Sequence, residues 1–91
     1  AFRARFAGTP VKRTGRDRFV RNVLVAIGNS ADQTFVPDVV AALADASPLV
    51  RGMAVWALQQ LDPAQHKVQS HRALQESDDQ VRSEWDAAAS V

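Results

Sequence analysis

Cysteine is absent from the 91 residues, which excludes a disulfide framework, a thiolate nucleophile and any zinc or iron–sulfur site built on this stretch. No apolar run approaches the roughly 18 residues needed to cross a bilayer, and the start lacks the charged-then-apolar layout of a signal peptide. A cytoplasmic chain with no membrane partner is the expectation. No alternating apolar run is long enough for a half-buried strand, so the fold class expected is all-α. Acid/base and metal constellations are equally scarce. His66 and His71 stand five residues apart, not at the i, i+4 of a helical metal pair, and no suitably placed carboxylate completes a site. Both histidines read as surface residues. Asp78 and Asp79 read as helix cap and loop, and Gly8, Gly15 and Gly28 are too scattered to cradle a phosphate. The expectation is no catalytic residue and no metal ligand in this stretch.

What remains is one small globular domain, since 46% hydrophobic against 23% charged residues is not disordered composition and the length is too short for two domains. The net charge of +1 conceals a separation. Arg3, Arg5, Lys12, Arg13, Arg16, Arg18 and Arg21 are seven of the eleven basic residues, opposed before residue 22 by Asp17 alone, so the first 21 residues carry +6 and the rest −5. Cations crowded around a helix start, where the dipole disfavours them, form a compact footprint of the kind that binds phosphates. Lys12, Arg13 and Arg16 are the leading phosphate contacts. Arg18 and Arg21, three apart on one helical face, join them.

Apolar spacing divides the chain into about five helices. The first runs from about Gly15, with Phe19, Val20, Val23, Leu24 and Ile27 on one stripe and Gly28-Asn29 as a left-handed stop. The second is capped by Asp32 or Thr34, holds Pro37 in its first turn and carries Phe35, Val36, Val39, Val40 and Leu43. The third is signalled by Ser47-Pro48 and carries Val50, Met53, Ala54, Ala57, Leu58 and Leu61. A fourth opens at Asp62-Pro63 and reaches about Glu76, with Val68, Ala73 and Leu74 as its apolar contributors. A fifth starts at Ser77 or Asp78 and bears Val81, Trp85, Ala88 and Ala89. Laid against itself, the chain repeats. Val20-Arg21, Val50-Arg51 and Val81-Arg82 are spaced 30 and 31 residues apart. Asp17, Ser47 and Asp78 precede them as cap types, and Leu24, Ala54 and Trp85 follow at one offset. This describes a short HEAT-like array, an α–α superhelix of two and a half to three repeats. At the repeat position Arg21, Arg51 and Arg82 are expected to bond loop carbonyls or acidic caps of the neighbouring repeat. Trp56 and Trp85 read as core.

The stretch Phe6-Ala7-Gly8-Thr9-Pro10-Val11-Lys12-Arg13, followed by Arg16 to Val23 and Ala26-Ile27-Gly28-Asn29-Ser30, resembles the carboxyl-terminal part of epoxyqueuosine reductases. Ser47 to Gly52, Trp56-Ala57-Leu58 and Val81 to Glu84 extend the resemblance, which is weakest from Pro63 to Ser77. It implies a parent enzyme that carries two four-iron four-sulfur clusters and cobalamin in upstream domains and reduces the epoxide of a modified tRNA base in queuosine formation. It implies no cofactor on this fragment, and contacts of the helical repeats with the upstream iron–sulfur and catalytic domains and with the tRNA anticodon arm. Asn22, next to Arg21 in the matching helix, joins the candidate RNA contacts on this ground. The expected division is a basic connecting segment, 1–16, from an absent upstream domain, and a repeat domain, 17–91. A chain starting at Ala1 and lacking cysteine fits a piece of such a protein. The competing expectation is a protein-interaction module whose basic segment docks on its own upstream domain or on an acidic partner.

Overall fold

The structure, a computed structural model, describes the backbone of residues 13–89 and the side chains of residues 15–87. Five α-helices and no strand occur among the described residues: α1 Arg13–Ser30, α2 Val36–Ala42, α3 Pro48–Leu61, α4 Pro63–Gln69 and α5 Asp79–Ala89. Short 3₁₀ turns precede α2 (Gln33–Phe35) and follow α4 (Ser70–Gln75). The expected all-α class is what forms. The dividing line at residues 16 and 17 falls inside α1.

α3 is the central element, packed by α1 on one side and α5 on the other, with α2 and α4 also against it. Its buried residues are Val50, Ala54, Val55, Ala57, Leu58 and Leu61. Ala54 and Ala57 are wholly buried, and their small side chains let the flanking helices approach. The repeat arithmetic emerges as packing: Val20, Val50 and Val81 are all core, as are Leu24, Ala54 and Trp85. The three Val-Arg helices therefore lie side by side and present the same positions inward.

Local chemistry sets the helix ends. Asp32 accepts the Thr34 N–H at 3.0 Å and the Thr34 hydroxyl at 2.6 Å, and these bonds hold its carboxyl below the ordinary aspartate range. Asp62 accepts the Gln65 N–H at 3.1 Å. Asp78 takes the N–H groups of Gln80 and Val81 at 2.9 and 3.1 Å. Pro37, Pro48 and Pro63 each fall in a first turn, where a missing N–H costs nothing.

Five expectations are corrected. Gly28 is not a left-handed stop: α1 continues to Ser30, and the residue with positive φ is Ala31 (57°). Gly28 instead lies against Trp56, where a Cβ would come 2.4 Å from the ring. Asp17 is inside α1 and caps nothing, because the helix begins a turn earlier, at Arg13. Ser47 stands at the start of α3 but is buried, and its side chain makes no capping bond. Val68 and Leu74 are exposed, at 63% and 90%. The backbone tightens to 3₁₀ geometry after Gln69, so the 3.6-residue period that aligned Leu74 with the core no longer holds there, whereas Val68 lies within α4 itself, on its exposed side. Ala73 does pack on the core. His66, read as a surface residue, is buried against Trp85 with ring centroids 4.8 Å apart. Its Nε2 is enclosed without a hydrogen-bond partner, and burial pushes its pKa below the ordinary histidine value.

Candidate functional site

The candidate phosphate-binding residues divide by what the fold does with them. Lys12 and the side chain of Arg13 lie outside the described residues. Arg16 is drawn inward: its two Nη groups donate to Asp45 at 3.0 and 2.7 Å, and one of them also to Asp17 at 3.0 Å. The Asp45 and Asp17 hydrogen bonds raise its pKa further above the arginine range, so it stays charged at any ordinary pH. Arg18 is exposed. Arg21 is half-buried, with Nη2 donating to the Asn22 Oδ1 at 2.9 Å and Nε enclosed without a partner. Asn22 is exposed, and its amide carries two N–H donors. Arg18, Arg21 and Asn22 stand at i, i+3 and i+4 and so share one face of α1, which can offer a phosphate oxygen several donors at once.

The structure also holds a device that sequence reading missed. Asp45 and Glu76 are 31 residues apart, each two residues before the start position of a repeat helix. The Asp45 carboxylate accepts the Ser47 N–H at 2.9 Å and grips Arg16, while Glu76 accepts the Asp78 N–H at 2.9 Å and grips Arg51 through two bonds of 2.9 Å. Arg51 further donates to the carbonyls of Asp45 and Ala46 at 3.0 and 3.1 Å. The Arg51 bonds hold the Glu76 carboxyl below its ordinary range. Each loop is thus tied to the helix of the preceding repeat, and the repeat spacing of the two acids was the signal that could have found them. The expected stitching role is met by Arg51. Arg82 instead pairs with Asp79 one turn back on its own helix, with both side chains exposed.

With this geometry in view, known proteins can be compared. An epoxyqueuosine reductase of Listeria monocytogenes is 34% identical over 89 residues, which is 96% of this chain and 24% of that protein. One from Xanthomonas campestris pv. campestris is 41% identical over 63 residues, 65% of this chain and 17% of the relative. The chain is related to epoxyqueuosine reductases. It spans about a quarter or less of their length. An uncharacterized protein of Geobacillus stearothermophilus, encoded in the gldA 3′ region, is 27% identical over 85 residues, 39% of its length. No family model and no solved structure matches the chain. Among the described residues no helix is long and apolar enough to cross a membrane.

Proposed function

We propose that the chain is the carboxyl-terminal, HEAT-like part of a cytoplasmic epoxyqueuosine reductase and serves as a tRNA-binding and scaffold domain. The observation that carries this reading is the outward face of Arg18, Arg21 and Asn22, set on a helix whose sequence is related to enzymes of that name. Lys12 and Arg13, which precede this face in the sequence, add two further positive charges, and Arg16 adds charge from within its ion pairs without a direct contact. The phosphates of the tRNA anticodon arm are the ligand, and the upstream iron–sulfur and catalytic domains are the scaffold's other neighbours. Phosphate neutralisation releases counterions, so binding weakens steeply with salt.

An iron–sulfur cluster requires cysteine thiolates, and this chain has none. Among the described residues no three His, Asp or Glu side chains converge on a metal-sized site. These residues do not fit the clusters proposed for the parent.

The test is tRNA affinity measured against salt. Neutralising Lys12, Arg13 and Arg18 together lowers the slope of log K against log salt by up to roughly one per lost phosphate contact. An unchanged slope and affinity would remove the assignment.

A further inference from the structure

α1, α3 and α5 enclose an open groove of about 720 Å³ to which α2 and α4 contribute no residue. Its floor is apolar, formed by Leu49, Met53 and Trp56 with Val25 at one side. Leu49 is 44% exposed, a large aliphatic side chain left in water by the packing of its own helix. Gly52 adds no side chain to the floor, so the groove stays open beneath Glu84, whose Cγ lies 3.7 Å from where a Gly52 Cβ would stand.

The charges at this groove have one sign. Asp78 and Glu84 line it, and among the described residues no Lys, Arg or His does. Asp78 spends its carboxylate on capping α5. Glu84 has no ion-pair partner among the described residues. Arg18 and Arg21 lie outside the lining, so the groove and the cationic face of α1 are separate surfaces. A phosphate backbone is repelled by two carboxylates over an apolar floor. A cationic group beside an apolar side chain satisfies both features.

We infer that this groove docks a basic peptide segment of a partner protein. An aliphatic or aromatic anchor rests on Leu49, Met53 and Trp56, and a neighbouring Lys or Arg reaches Glu84. The occupant follows from the charge complementarity of the rim. The inference does not depend on the tRNA-binding reading, because it uses none of the same side chains.

The probe is an acetylated, amidated Leu-Arg-Ala-Arg-Leu peptide, titrated into the full chain and followed by NMR. The Trp56 indole and Met53 methyl signals shift, while the buried Trp85 indole does not. Glu84→Gln, an exposed change that leaves the fold intact, weakens binding roughly two- to fivefold, as for loss of an exposed ion pair. Leu49→Ala weakens it about tenfold, as for loss of most of one aliphatic contact. Equal binding of Leu-Glu-Ala-Glu-Leu, shifts confined to the Arg18 and Asn22 face, or an unchanged Kd in Glu84→Gln would overturn the proposal. Binding that emerges only after removal of residues 1–7 would assign the groove to the chain's own start. Displacement of a chain dimer by the peptide would assign it to a second copy. Either result also overturns docking of a partner protein.

Discussion

Gly28 and Trp56 fix how closely α1 approaches α3. An alanine at position 28 improves helix propensity by about 1 kcal/mol, yet its Cβ would sit 2.4 Å from the half-buried Trp56 ring, which would have to shift. Overpacking of this kind costs about 1–3 kcal/mol, so Gly28→Ala is expected to lower the stability measured by urea unfolding despite its better propensity. The glycine was visible in the sequence, but its reason was not: the contact joins residues 28 apart, and local reading assigned it to a turn. His66 presents the same difficulty. Its spacing from His71 excluded a helical metal pair, and only the packing of α4 on α5 shows that it is enclosed beside Trp85. Because its folded pKa is lowered while the unfolded value stays near 6.5, the unfolded chain binds the proton first. Stability therefore falls as pH drops below about 6.5 and levels off once the folded pKa is passed. Thermal melts between pH 8 and 5 check this, and His66→Phe removes the His66 contribution.

At the scale of elements, the caps were legible because they depend on neighbours within three residues. Asp62 and Asp78 act as read, Asp32 caps the 3₁₀ turn that leads into α2, and Asp17 and Ser47 make no capping bond. Leu74 was misread as apolar-face because a helical period was extended past the point where the backbone changes geometry. What joins one repeat to the next is the pair of arginine–carboxylate ties. The Arg51 and Glu76 side chains are 17% and 8% exposed, and breaking so enclosed a bidentate pair leaves a desolvated carboxylate. Arg51→Met is expected to cost about 1–3 kcal/mol, measured by urea unfolding. Glu76 adds an acid limb: its lowered folded pKa gives stability that is present above about pH 4.5 and lost as pH falls through the folded value. Arg16 and Arg18 separate structure from binding. Arg16→Ala is expected to lower the melting temperature because it removes both Arg16 bonds from the Asp45 carboxylate, which is 10% exposed, whereas Arg18→Ala is expected to leave melting unchanged and to weaken tRNA binding.

Across the described residues, the Cα atoms span 38 × 29 × 16 Å, a slab whose charges are unevenly shared among its helices. The cations gather on α1 and before it, while the carboxylates of α5 and its cap border the groove. α1, α3 and α5 each turn the Val of a Val-Arg pair inward, which leaves other positions at the surface for different chemistry. Salt is thus expected to weaken binding at both surfaces but by different amounts: a steep slope for tRNA and a shallow one for a short peptide whose anchor is apolar. Parallel titrations between 50 and 200 mM salt, a range over which multiple phosphate contacts lose orders of magnitude, distinguish them. By itself the sequence determined the helical class, the caps and prolines that start the helices, the Val-Arg period and the charge separation, because each is written in residues close together or in a fixed spacing. Tertiary structure decided which arginines are spent on carboxylates, why Gly28 must be glycine, that His66 is buried, and that a groove opens between α1, α3 and α5. Those depend on side chains about 20 to 30 residues apart, whose meeting is fixed by packing and not by any local signal.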